Sequence, residues 1–182
     1  WQFTQFLHGE QGGLVCAPKI VQSVPDLDAK LLAATQVVDE ARHVELFTRL
    51  VRDKIGITYP IHPALELLLG TIVADDRWDI PFLTQVLIEG LSLAAFGVLR
   101  ESSTNRLVRA ATAYVMEDEA RHVAFSRLVL ADHYRELSDT ERRDREDLCI
   151  EATTLMHDHF LGHEVWETLG LDVGDCIEHM HR

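Results

Sequence analysis

One hexapeptide, Asp39-Glu40-Ala41-Arg42-His43-Val44, returns unchanged as Asp118-Glu119-Ala120-Arg121-His122-Val123. The offset, 118 minus 39, is 79 residues, and the same offset relates Glu10 to Glu89, each a lone acid beside glycine. The chain therefore states one pattern twice. A fold that obeys it must bring two equivalent sets of side chains into related positions.

On a helix, Glu40 and His43 differ by about 60° around the axis and about 4.5 Å along it, so both heads reach one point. One Glu from each of two helices, with Glu-x-x-His from each of two others, is the donor set of a two-metal carboxylate centre in a four-helix bundle. The six candidates are Glu10, Glu40, His43, Glu89, Glu119 and His122. A single Glu-x-x-His says little, because polar pairs at that spacing are common on solvated helix faces. The repeat carries more weight, since four acids on apolar faces are too costly to bury without compensation.

Phe3, Phe6, Leu7, Glu10 and Leu14 predict a first helix with Glu10 on its apolar face. Gly9, Gly12 and Gly13 each cost about 1 kcal/mol of helix propensity relative to Ala. They read either as close helix packing or as room beside a cofactor. A second helix begins after Pro25, with Asp26 or Asp28 in its first turn, and runs to about residue 55, where Gly56 stops it. Its inner stripe is Val37, Glu40, His43, Val44, Phe47 and Leu50. His62 lies between prolines and reads as a turn residue before a short helix over about 64–75. A fourth helix over about 78–101 carries Glu89 with Phe82, Val86, Leu93 and Phe96. The fifth, capped by Ser103 or Thr104 and ending near 137, carries Val115, Glu119, His122, Ser126 and Val129. Ser138-Asp139-Thr140-Glu141 is a capping box, opening a sixth helix expected to reach about 169, with a charged and solvated start over 141–147. A last short helix begins at Asp172 or Val173. No strand or hairpin pattern is present. The expectation is an all-α single domain over 1–182, with a four-helix core over about 1–137 and a C-terminal helical extension over about 138–182.

The formal charge of −13 disfavours nucleic acid and acidic membrane surfaces as partners. No apolar run reads as reaching the ~18–20 residues of a membrane span, and no leader pattern opens the chain. A soluble, cytoplasmic protein is expected, as the core of a longer chain, since Trp1 already lies inside a helical pattern. Cys16, Cys149 and Cys176 are odd in number and widely spaced, so they are read as reduced thiols. His157, His159, His163, His179 and His181 lack repeated Glu partners and are read as solvated-face residues.

Two divalent irons bring four positive charges, and four ionised Glu with two neutral His return four negative ones. Carboxylate-rich sites with one imidazole per metal suit Fe or Mn rather than structural Zn. Two Fe ions are expected, and a mixed Mn/Fe pair satisfies the same donors. A metal-bound imidazole usually gives its other N–H to a carboxylate. The approximate two-fold relation then predicts Asp39 bonded to His122 and Asp118 to His43, with Arg42 and Arg121 satisfying those acids.

At these residues, over about 3–130, the chain resembles the ferritin-like di-iron superfamily. The likeness is to its oxygen-activating branch, which includes hydroxylase subunits of bacterial multicomponent monooxygenases, ribonucleotide reductase small subunits and related N-oxygenases. The resemblance implies a ferritin-like four-helix bundle and a homodimer. It also implies a reduced di-iron state that binds O2, with Glu10, Glu40 and His43 on one iron and Glu89, Glu119 and His122 around the other, some acids bridging. Phe47 stands where the reductases carry a radical-forming tyrosine, Leu93 where the monooxygenases carry a threonine, and Val115 where the N-oxygenases add a histidine.

The expected function is a di-iron monooxygenase or oxidase that activates O2 to oxidise a small organic substrate. Candidate pocket residues are Phe47, Leu93, Phe96 and Val115, any of which also serves as ordinary core. Glu89 or Glu119 is the acid expected to shift and open a coordination position. Electrons would come from an external reductase or ferredoxin, because no flavin or nicotinamide fingerprint is present. The alternatives are iron oxidation or peroxide scavenging of the ferritin or rubrerythrin kind, and a structural protein with a vestigial site.

Overall fold

A computed structural model describes residues 1–180. Helix α1 spans Gln2–Ser23 and gives way to extended backbone at Val24, ahead of Pro25. Helix α2 spans Leu27–Leu50; its cap is Asp26, whose carboxylate accepts from the Ala29 N–H at 2.8 Å. It continues as a π-helical turn over Val51–Ile55 and stops at Gly56, where φ is 77°. Helix α3 is Pro63–Ala74, and Nδ1 of His62 caps it by accepting from the Ala64 N–H at 3.3 Å. Gln5 holds this connector to α1, donating to the Pro60 carbonyl and accepting from the His62 N–H, both at 2.8 Å.

Helices α4 (Asp79–Ser102) and α5 (Arg106–Glu136) follow. The cap of α5 is Asn105 rather than Ser103 or Thr104. Its carbonyl accepts from Leu107 and Val108 at 2.9 and 3.4 Å, while the Ser103 hydroxyl accepts from the Asn105 N–H. The capping box at Ser138 and Glu141 opens α6 (Asp139–Leu161). That helix does not continue to residue 169: Gly162, in the left-handed conformation at φ 56°, ends it as helices commonly end, and α7 (His163–Thr168) starts afresh. Helix α8 is Val173–Met180. Among the described residues there is no strand.

α1 packs along α2 and α4 along α5; the pairs meet through α2 with α5 and α1 with α4, and α3 and α6 cover the α1–α4 side. Apolar clusters fill both ends of these four helices. Phe6, Phe47, Phe96 and Val115 form one, with Phe6 and Phe96 ring centroids 4.7 Å apart. Ile20, Ala33, Phe82 and Leu130 form the other. Leu65, Leu68, Ile72, Ala152 and Met156 seat the α3–α6 layer. The four motif-bearing turns lie between the first two clusters, so the repeated acids and imidazoles are enclosed along the helix axes by hydrocarbon.

Three expectations need correction. The start of α6 is not wholly solvated: Arg145 is buried and grips buried Asp79 through two hydrogen bonds of 2.9 and 3.1 Å, tying α6 to the first turn of α4. His159 is buried against Trp1, His62 and Phe160, whereas His181 lies outside the described residues. Finally, α4 is long and apolar enough, by length and composition alone, to cross a membrane, with a mean hydropathy of 1.8 over its most apolar window. Here it packs along α5 and carries Glu89 at mid-length. Cys16, Cys149 and Cys176 are all unpaired.

Candidate metal centre

All six sequence candidates converge. Glu10, Glu40, His43 and Glu119 present one atom each within 4.8 Å of one another, and Glu40, Glu89, Glu119 and His122 do the same. Glu40 and Glu119 belong to both groups, so the two positions share a pair of acids, as bridging carboxylates do. Nδ1 of His43 lies 3.1 Å from Glu10 and 3.1 Å from Glu119. Nδ1 of His122 lies 3.4 Å from Glu40 and 3.6 Å from Glu89.

The outer nitrogens behave as the two-fold argument predicts. Nε2 of His122 meets Asp39 at 3.1 Å and Nε2 of His43 meets Asp118 at 3.2 Å. Arg121 donates to Asp39 and to Asp118, both at 2.7 Å, and Arg42 pairs with the same two acids from the opposite copy. With Nε2–H given to an aspartate, the lone pair of Nδ1 is left for the centre.

Charge in the cluster is balanced by protons. Burial, reinforced by the charges of Glu119 and Glu10, pushes Glu40 up to about 8. Burial also raises Glu10 and Glu89. For His43 burial acts downward, but hydrogen bonds to Glu10 and Glu119 prevail and raise it to about 11. Glu119 is held at about 2, because the imidazoles of His122 and His43 outweigh its burial. Oε2 of Glu119 and Nδ1 of His122 are buried without a hydrogen-bond partner. Buried polar atoms are seldom left so, and divalent cations beside these oxygens and nitrogens would both satisfy them and replace the protons. The donor set thus fits a metal pair.

Sequence reasoning missed two contributors. Gln36 donates to Glu40 and Glu89, each at 3.2 Å, and Gln85 donates to Glu89 at 3.3 Å. Both sit one helical turn before a site acid, on its face, which is the signal that was available. Their partners at the 79-residue offset are Val115 and Phe6, so the two halves differ here. Of the three α1 glycines that the sequence singled out, Gly13 is the one where a Cβ would collide with the Glu40 carboxylate. That glycine makes room for a site acid, whereas a Cβ at Gly12 would meet Leu69 and one at Gly9 would meet nothing.

A cavity of about 80 Å³ opens beside the cluster, between α1 and α4 and under α3 and α6. Glu10, Glu40, Glu89 and Glu119 reach its wall. Of the four pocket candidates only Phe96 lines it. Phe47 and Val115 are fully enclosed in the end cluster, and Leu93 is half-buried away from the cavity. Those candidates came from α2, α4 and α5, whereas the cavity lies between α1 and α4, under α3 and α6.

Comparison of the chain with protein-family models, with curated proteins and with solved structures finds no match.

Proposed function

We propose that this chain is a ferritin-like di-iron carboxylate protein, in which α1, α2, α4 and α5 form the four-helix bundle. Its activity would be that of an O2-dependent oxygenase or oxidase acting on a small organic substrate. The observation that carries the reading is the convergence of four carboxylates and two imidazoles, with Nδ1 of His122 and Oε2 of Glu119 buried and unpartnered. Glu10, Glu40, Glu89, Glu119, His43 and His122 would hold two Fe ions, or one Mn and one Fe. Bound there, the pair would supply two-electron reduction of O2 coupled to substrate oxidation.

The chain's own part is positioning and enclosure. Asp39 and Asp118 fix which imidazole nitrogen faces inward, and Arg42 and Arg121 pair with both aspartates. Phe6, Phe47 and Phe96 exclude water from one end. The cavity under α3 and α6 leaves room for a small molecule beside the acids, which favours oxidation of an organic substrate over iron storage. An external reductase or ferredoxin would deliver electrons.

Anaerobic titration with Fe(II) tests this. Saturation at two irons per chain, followed by O2 consumption without mineral growth in excess Fe(II), is the expected result. Growth of a ferric mineral would favour iron handling instead, and failure to bind any divalent metal would end the metal reading.

A further inference from the structure

Three residues that line the cavity each carry a buried polar atom with neither a hydrogen-bond partner nor a role as metal donor: Oε1 of Gln36, Oε1 of Gln85 and Nδ1 of His159. The three residues are 3%, 7% and 5% exposed. Leaving such an atom unsatisfied costs about 1–3 kcal/mol. The glutamine orientation is dictated by the centre. Each amide nitrogen is committed to carboxylate oxygens of Glu40 or Glu89. Rotating either amide would set its carbonyl against those oxygens wherever the acid is ionised, as Glu40 and Glu89 would be beside a metal. Both carbonyls are therefore fixed as acceptors.

Much of the remaining wall is hydrocarbon, including Phe6, Leu65, Leu69, Ile72, Ile88 and Phe96. We propose that the cavity binds a small, largely hydrocarbon molecule carrying one hydrogen-bond donor, an alcohol or neutral amine, which the carbonyl of Gln36 or of Gln85 receives beside Glu89. The proposal rests on the oxidase reading for why such a molecule is held there, but its recognition requires no metal. An interior of about 80 Å³, at roughly 10–15 Å³ for each water-sized occupant, takes about five to eight small groups, the scale of a single six-membered ring with one substituent.

The broken repeat gives the molecule a direction. Where Gln85 and Gln36 serve Glu89, the matching positions near Glu10 and Glu119 are Phe6 and Val115. Phe6 lines the cavity and Val115 packs in the cluster behind it. The donor end is thus drawn toward Glu89 and the hydrocarbon toward Phe6 and Phe96. His159, on α6, offers a further polar contact; burial and the neighbouring His62 keep its ring neutral, so it does not call for an anionic ligand.

Cyclohexanol and cyclohexanone provide the test, because they share a ring and nearly a size, while only the alcohol donates. Calorimetric titration of the full chain, metal-free and anaerobically Fe(II)-loaded, is expected to show the alcohol binding about tenfold more tightly in both forms. Gln36→Met with Gln85→Met should bring the ratio close to one, and Gly9→Phe, which fills the cavity, should abolish both affinities. Equal affinities in the unmodified chain, no binding of either compound, or a preference that survives the paired Met substitutions would each overturn the proposal. The comparison in the unmodified chain decides even where the variants do not fold. A chain that takes up no metal yet selects the alcohol keeps this proposal and loses the oxidase reading. One that loads two irons without selecting does the reverse.

Discussion

Nε2 of His122, on α5, lies 3.1 Å from Oδ2 of Asp39, on α2, so each copy of the hexapeptide orients the imidazole of the other. The relation is reciprocal through Asp118 and His43 at 3.2 Å. Burial acts to raise Asp39, but hydrogen bonds from His122, Arg121 and Arg42 prevail and hold it below the ordinary carboxylate range. An ionised acid there makes the ring a better donor to a metal. Asp39→Asn is expected to weaken Mn(II) or Fe(II) binding by about 10–100-fold, read by competition with a chelating dye, while helix content stays unchanged. Affinity equal to that of the unmodified chain would remove the aspartate from the site's machinery.

Gly13 and Gly9 separate two uses of glycine in one helix. A Cβ at Gly13 must displace the Glu40 carboxylate, which belongs to both candidate metal-binding groups, whereas a Cβ at Gly9 meets no atom within 4 Å. Gly9→Ala is expected to stabilise the chain by about 0.5–1 kcal/mol through helix propensity with metal affinity intact. Gly13→Ala should lower metal affinity by about tenfold or more, the scale on which a misplaced ligand acts. Urea unfolding beside metal titration checks both. Parallel behaviour of the two variants would mean that Gly13 is not a clearance for Glu40.

The cluster of four Glu and two His was legible because metal-binding chemistry would impose spacings that sequence preserves: three residues within a helix, and a common offset between halves. The Asp39–His122 pairing followed from the two-fold relation together with the carboxylate partner that a metal-bound imidazole usually takes. Gln36 and Gln85 were not legible in the same way, since a glutamine one turn from an acid looks like any solvated residue until a second layer covers it. The cavity was misplaced for a related reason. Periodicity shows which face of α2 or α5 is apolar, but not that α3 and α6 close over α1 and α4. Arg145 sits in a run of charges and becomes buried only through Asp79, 66 positions earlier, a pairing that no local pattern announces. Gly162 was readable and overlooked: a glycine inside a long helical pattern is a common C-terminal signal.

Arg145 and Asp79 lend themselves to a cycle of substitutions. Asp79 is 2% exposed and Arg145 9%, so Arg145→Ala leaves a buried carboxylate without its partner and should cost about 3–5 kcal/mol. Replacing both, as Asp79→Leu with Arg145→Met, removes the stranded charge and should recover most of that loss. Denaturant unfolding of Asp79→Leu, Arg145→Met and the double gives the coupling energy. A double variant no more stable than the worse single would show that the pair does more than compensate its own burial.

His159 predicts how acid acts on the α3–α6 layer. Burial, then the charge of His62, lowers it from its ordinary value near 6.5 to about 4, while Glu164 and Asp158 act weakly the other way. Trp1, His62 and Phe160 pack on its ring. Because the folded value lies below the unfolded one, the unfolded chain binds the proton more tightly. The stability from burying a neutral ring is therefore fully present above about pH 6.5 and is lost as pH falls toward 4. At its limit the loss is on the order of 3 kcal/mol. His159→Phe should flatten the fall in unfolding free energy between pH 7 and pH 4.5. Taking the difference between variant and unmodified chain isolates this ring from the site carboxylates, which are common to both. If the two proteins lose stability in parallel over that interval, the ring is titrating as an exposed histidine and the packing around Trp1 is looser than described.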